Sequence, residues 1–344
     1  MPFPDTISDV DVLDSLLSDP SDQAVAGLSQ LPGDIIVLGV AGKMGPTLAR
    51  MARRAADLAG SKRRVIGVAR FSDSSLEAWL QSHHIDTIRC DLLDERTVSR
   101  LPDAPLVVYM AGRKFGSTRQ ESLTWAMNAA LPVEIARRYA GSRIAAFSTG
   151  NVYGLTPVAG GGSRETDPLR PVGEYAMSCL ARERLFEHFS IAQGTKTILL
   201  RLNYATEMRY GLLVDLARRL AEGVPVDLTM GYVNVIWQGD ANAMALAALA
   251  QATAPAAVAN LAGPGPLSVR DVCEALAARM GVAARFTGTE APDALLSDGS
   301  AGWAMLGRPR LELDRLVAWT ADWVTRGGPF LDKPTHFESR DGRF

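Results

Sequence analysis

An apolar run that breaks into three spaced glycines constrains this chain more than any other feature. Ile35-Ile36-Val37-Leu38 reads as a buried strand, and Gly39, Gly42 and Gly45 follow it at G-x-x-G-x-x-G spacing. Pro46, Leu48, Met51, Ala52 and Ala55 then read as a helix. Positions without a side chain let the backbone turn sharply and approach a pyrophosphate, while the free N–H groups at the helix start face that anion. Lys43 and Met44 lie inside the turn and belong to the same dinucleotide cradle. A glycine triplet alone also suits a plain strand-to-helix turn. The order strand, turn, helix is what favours the dinucleotide.

Beyond Gly33 the chain alternates short apolar runs with longer helical stretches, the pattern of βαβ units on a parallel sheet. Six strands are countable: 35–38, 65–68, 87–88, 106–110, 144–147 and 197–200. They predict an α/β doubly wound (Rossmann) sheet with a smaller C-terminal substrate region. The expected division is a helical extension over 1–32, a dinucleotide-binding domain over 33–205 and 233–262, a substrate region over 206–232 and 263–330, and a tail over 331–344. Within the extension, Val10, Leu13 and Leu17 predict one short helix and the stretch through Val25 and Leu28 a second.

Composition narrows the partners. The 344 residues carry 36 basic and 38 acidic side chains, a formal charge of −2, so no global field gathers nucleic acid or an anionic membrane. Cys90, Cys179 and Cys273 form no C-x-x-C pair, which points to a reducing compartment without disulfides. The four histidines show no ligand spacing, and no metal is expected. Nowhere do eighteen apolar residues run together, and the cytoplasm is the expected location.

The residues after the second strand select the cofactor. An acid there accepts from the ribose 2′-OH of NAD, whereas arginine pairs with the 2′-phosphate of NADP. The chain reads Val68-Ala69-Arg70, and with Lys43 as a second cation this favours NADP over NAD. The competing reading leaves Arg70 solvated and gives the ribose to Asp73. Asp91 and Leu92 after the third strand are placed for the adenine, and Ala111 and Gly112 after the fourth for close passage of the cofactor, with Asn128 also assigned to that site. Gly112-Arg113-Lys114-Phe115-Gly116 reads as a loop at the carboxyl ends of the strands, where Arg113 and Lys114 meet a polar or anionic substrate or simply face solvent.

The fifth strand runs into Ser148-Thr149-Gly150-Asn151-Val152-Tyr153-Gly154, and Gly173-Glu174-Tyr175-Ala176-Met177-Ser178-Cys179 leads into a helix. With the glycine turn, these strings resemble the extended short-chain dehydrogenase/reductases, the NAD(P)-dependent epimerase/dehydratase family, over about residues 33 to 325. The resemblance implies hydride transfer at a hydroxyl or carbonyl of a sugar, sugar acid or nucleotide-sugar. It places Tyr175 as acid/base and cofactor contact, and Thr149, with Ser148 beside it, on the reacting oxygen. It also implies substrate contacts from Asn151, Asn203 and Tyr204, and a homodimer as the common assembly.

The chain departs from the family at one position. The family's tyrosine is followed four residues on by a lysine whose charge helps the phenol ionise, and here Cys179 stands there. Either Arg113, Lys114 or Arg182 substitutes, or Tyr175 works as a weak acid, or hydride chemistry is lost and the chain is a catalytically impaired NADP-binding or sensor protein. Cys179 also suits plain packing under the helix. If charge is short, Cys179→Lys raises activity at neutral pH. Gly150-Asn151 replaces the Asp-Glu pair of the related 4,6-dehydratases, which disfavours water elimination. Reductases acting on substrates other than sugars remain a third reading. Asp240 is expected to cap the helix it opens, and Trp303, Trp319 and Trp323 to anchor the core.

Overall fold

The computed structural model describes residues 3–114, 119–333 and 335–343. Phe115 and Gly116 of the expected substrate loop lie outside the described residues. Seven parallel strands form the central sheet: β1 Ile35–Leu38, β2 Val65–Ala69, β3 Asp86–Arg89, β4 Leu106–Tyr109, β5 Arg143–Thr149, β6 Lys196–Leu202 and β7 Ala257–Leu261. Their spatial order is β7-β6-β5-β4-β1-β2-β3. All side chains of β1, β2 and β4 are buried, as expected where helices cover both faces of a parallel sheet. The order reverses between β1 and β4, and ligands of open α/β sheets bind at such a switch point, beyond the carboxyl ends of the strands.

The six strands read from the sequence are all present, and β7 extends the sheet past β6 with Val258 opposite Leu199. Helices pack on both faces. Gly45–Leu58 and Gln238–Gln251 share one apolar cluster with β1 and β6, while Leu131–Arg138 and the inner face of Gly173–Gln193 share another. A separate core gathers the helices Leu212–Ala221, Val269–Met280 and Leu313–Thr325 beyond the strand ends, and this body forms the far wall of the cleft.

The N-terminal segment forms the two short helices expected of it, Val10–Leu17 and Asp22–Ser29, capped by Asp9 and Ser21. They divide between the two bodies. Leu13, Leu16 and Leu17 join the far core, whereas Ala24 and Leu28 join the sheet core. Trp319 and Trp323 are buried, and Trp303 donates to Ala262 O at 2.9 Å, so all three act as anchors. Asp240 departs from its expected role. Its carboxylate accepts from Arg310 N, Arg310 Nε and Leu311 N at 2.9 to 3.1 Å, so it clasps a distant loop instead of capping its own helix.

The tail beyond Thr325 lies along its own chain. Thr335 donates to Asp215 through N and Oγ1 at 2.8 and 2.6 Å, Phe337 is buried, and Arg340 pairs with Asp293. The carbonyl of Gly342 lies so near Gly173 that a Cβ there would meet it at 2.4 Å. The tail therefore spans from the far wall of the cleft to the start of the Tyr175 helix. Among the described residues no helix is long and apolar enough to cross a membrane.

Candidate active site

A cleft of about 300 Å³ opens beyond the carboxyl ends of β1 and β4. Its floor is the glycine turn. Gly39 takes φ +88°, and a Cβ there would lie 2.8 Å from Ala111 N as the chain leaves β4. Gly45 lets the helix start against Val40, whose carbonyl oxygen would be 2.2 Å from a Cβ. Gly42 differs from both. Among the described residues a Cβ on it would meet only Gly39 O, at 3.4 Å, so the space beside it is open to whatever enters the cleft. The helix Gly45–Leu58 has Pro46 in its first turn and no side-chain cap, which leaves its N-terminus directed at that space. These features fit the pyrophosphate of a dinucleotide.

The opposite wall carries the chemistry. Thr149 ends β5, its hydroxyl accepting from Asn151 N at 3.2 Å, and Tyr175 lies in the first turn of Gly173–Gln193. The Tyr175 hydroxyl faces Thr149 and Cys179, both close enough to bear on its titration. Burial, reinforced by the neighbouring Cys179, pushes the phenol well above its ordinary value, while Arg182 and Thr149 pull it back. Cys179 is itself buried and its thiol is raised, chiefly by burial. It cannot supply the missing positive charge.

Other assigned residues take structural positions. Ser148 lines the cleft, yet its hydroxyl donates to Glu183 at 2.5 Å. Glu183 pairs with the buried Arg201, whose Nη1 donates to Tyr153 at 2.8 Å, and Tyr153 donates to Asn260 at 2.7 Å. This network fixes the end of β5 from behind. Asn128 lies behind the wall rather than on it, within the π turn Ala126–Ala130; it accepts from Arg113 N and Arg182 Nη2 and donates to Ser178. Ala111 packs on Gly39, and Gly112 leaves room for the Arg182 guanidinium, whose Nη2 would lie 2.5 Å from a Cβ at that position. Neither needs a cofactor to account for its small size.

On the adenine side, Arg70 is exposed at the end of β2, next to β1. Asp73 is engaged elsewhere, its carboxylate accepting from Ser75 N and Oγ at 2.8 and 2.7 Å as a helix cap. Asp91 stands exposed beyond β3 and accepts from Leu93 N, while Leu92 is buried beside it. Lys43 does not join Arg70. Its ammonium lies 3.1 Å from the centre of the Tyr210 ring, on the substrate wall. Burial, with Lys114 and Lys333 nearby, pulls its pKa down to about 6.

An anion entering this cleft restores the charge on Lys43. Dinucleotide binding is therefore expected to take up protons between pH 6 and the ordinary lysine range near ~10.4. Calorimetry in two buffers of different ionisation enthalpy measures this directly, and zero uptake at pH 8 would contradict it. In the same window the unfolded chain holds more protons than the folded one, so this group makes the unliganded fold gain stability as pH rises.

On the substrate side, Asn203 and Tyr204 both line the cleft. Asn203 is buried, with its amide 3.4 Å from Asn234 Oδ1, and the Tyr204 hydroxyl reaches Phe337 O at 3.5 Å. Arg113 donates to Gln120 at 2.6 Å, and Lys114 lies 5.8 Å from the Tyr175 ring centre with its pKa lowered by burial to about 8. Tyr210, Gln238 and Thr335 also line the cleft and carry no recognisable motif. They arrive from segments remote in sequence.

The sequence profile of the NAD dependent epimerase/dehydratase family matches residues 35–230. The chain belongs to that family. No curated protein matches the chain by sequence at a significant level. Among solved structures, MoeE5 in complex with UDP-glucuronic acid and NAD is 22% identical, with TM-score 0.68, covering 86% of this chain and 100% of its own. DesIV, a dTDP-glucose 4,6-dehydratase from Streptomyces venezuelae with NAD bound, is 19% identical at TM-score 0.72, covering 85% and 97%. A UDP-glucuronic acid 4-epimerase from Bacillus cereus in complex with NAD is 19% identical at TM-score 0.68, covering 85% and 99%. At these identities the likeness establishes the extended short-chain dehydrogenase/reductase fold. Within the family framework, the glycine turn, Thr149 and Tyr175 occupy one cleft here, while Ser148, Asn128 and Ala111 serve its walls.

Proposed function

We propose that this chain oxidises or epimerises a hydroxyl-bearing carbon of a sugar, sugar acid or nucleotide-sugar with a nicotinamide dinucleotide. The observation that carries the reading is that Thr149 and Tyr175 line the same cleft as the glycine turn, at the strand ends. Gly39, Gly42, Gly45 and the helix N-terminus hold the pyrophosphate, and the bound nicotinamide supplies hydride acceptance and return. Thr149 holds the reacting oxygen, and the Tyr175 oxygen takes its proton on oxidation and returns it on reduction. Asn151 follows Thr149 with its amide oxygen 3.3 Å from the threonine hydroxyl, and a Cβ on Gly150 would collide with Ser297 at 2.8 Å. With no acid or base at either position, this wall favours hydride chemistry without water elimination.

The reading includes a preference for NADP, carried now by Arg70 alone, because Lys43 faces Tyr210 and Asp73 caps a helix. Arg70→Ser is expected to weaken NADP binding about tenfold or more and to leave NAD binding unchanged, since one lost charge-assisted contact to a phosphate is worth about 1.5 to 3 kcal/mol. Paired titrations of both cofactors decide it, and an equal loss for both would remove the preference. The two-domain division and a homodimer belong to the same proposal, the latter supported by exposed Met177 and Ile191 on the Tyr175 helix.

A second reading, an NADP-binding protein without turnover, is favoured by one observation, the buried thiol of Cys179 beside a phenol that burial holds protonated. Turnover of a nucleotide-sugar panel with either cofactor separates the two. The first predicts reaction that Tyr175→Phe removes.

A further inference from the structure

We propose that Arg182, reaching into the cleft from two turns further along the same helix, is the cation that assists Tyr175 in place of a lysine at position 179. This rests on the reading of Tyr175 as acid/base. It also answers a question of physical chemistry that stands apart from turnover, namely how a buried phenol next to a neutral thiol loses its proton.

The first support is placement. Arg182 follows Tyr175 by seven residues, which puts both on one face of the helix, and long helical side chains lean toward the N-terminus and hence toward Tyr175. Both residues line the cleft. The guanidinium is anchored by Nη1 donating to Phe147 O at 2.8 Å, two residues before Thr149, and by Nη2 donating to Asn128 Oδ1 at 2.7 Å. Asn128 is held in turn by Arg113 N and Ser178 Oγ at 2.8 and 3.0 Å. Gly112 completes the seat, since any side chain there would displace the guanidinium.

The second support is that the charge persists. Arg182 is 5% exposed, and burial opposes its charge. Its pKa is nonetheless raised overall, and it stays protonated. A guanidinium stays charged where an ammonium does not. Lys114, the competing cation, faces the Tyr175 ring at 5.8 Å, but burial lowers its pKa to about 8, so its charge is lost above that pH while the guanidinium keeps its own. The ionisable groups facing Tyr175 and its partner are thus Cys179, Arg182 and Glu183 from its own helix, Lys114 from the loop after β4, and Tyr109 from β4 itself. With three of its five N–H groups engaged, Arg182 also keeps donors for the hydroxyls of a ribose in the cleft.

The test follows Tyr175 itself rather than activity. Tyrosinate absorbance is titrated in the full-length protein, with and without NADP, and the Tyr175→Phe protein is subtracted. Arg182→Met is expected to move this titration up by about one to three units, the size of a nearby opposite charge. Arg182→Lys, which retains a charge, is expected to stay within about half a unit of the wild type. The double variant Cys179→Lys with Arg182→Met is expected to bring the titration back, and it provides a buried cation should the single Met variant fail to fold. An unchanged titration in Arg182→Met, a shift in Arg182→Lys as large as that in Arg182→Met, failure of the double variant to restore the titration, or a shift produced by Lys114→Met and not by Arg182→Met would each overturn the proposal. Because the titration needs no substrate, a protein that turns over nothing while Arg182→Met still moves Tyr175 would refute the proposed activity and leave this inference standing.

Discussion

Replacing Tyr175 by Phe is expected to lower turnover by about 10²- to 10⁴-fold, the range of a positioned general acid or base. The substitution removes one oxygen, the one whose titration Thr149 and Cys179 perturb. The glycine turn proposed to hold the dinucleotide forms the floor of the cleft, so the dissociation constant for cofactor is expected to change little. Loss in kcat with unchanged cofactor binding separates a proton-transfer role from a packing role. A parallel loss of cofactor affinity would instead mean that the ring builds the nicotinamide pocket.

Two glycines of the turn are expected to respond in opposite ways to the same change. Gly45→Ala places a methyl group 2.2 Å from Val40 O and 2.7 Å from Val40 C, both backbone atoms that cannot rotate away. Forcing such a contact costs about 1 to 3 kcal/mol or more, so thermal or denaturant unfolding is expected to show a clear loss of stability. Gly42→Ala adds a methyl whose one neighbour among the described residues is Gly39 O at 3.4 Å. Its stability is expected to stay within about 0.5 kcal/mol of the wild type while dinucleotide affinity falls about tenfold or more, because the methyl occupies the space the pyrophosphate needs. A Gly42→Ala protein that binds NADP and NAD as tightly as the wild type would show that no ligand backbone passes there.

The sheet was legible because its information is local. Each of the six strands is a short apolar run, and two of the three glycines, Gly39 and Gly45, stand at a bend where the backbone passes close to itself. Thr149 and Tyr175 were legible from strings only a few residues long, and the structure brings them together. Where reading the chain fell short, the missing information was direction or distance in three dimensions. Lys43 sits in the turn, but its side chain points across the cleft to Tyr210, 167 positions away in the numbering, and not toward Arg70. Asp240 opens a helix as a capping residue would, yet a loop 70 residues further on takes its carboxylate. Gly112 and Asn128 suggested a cofactor path, and only the fold shows that they also seat a guanidinium. The wall residues Tyr210, Gln238 and Thr335 come from three segments with no motif, and only the fold assembles them.

The central claim is that hydride leaves a substrate carbon for a nicotinamide held in this cleft while Tyr175 takes the proton. It is tested most directly by stopped-flow absorbance of the reduced nicotinamide after mixing the protein and its oxidised dinucleotide with a panel of nucleotide-sugars and uronic acids. The account predicts a transient or lasting rise with at least one of them at neutral pH, abolished in Tyr175→Phe protein that still binds the dinucleotide. Saturating cofactor binding with no rise for any substrate between pH 6 and 10 would contradict it.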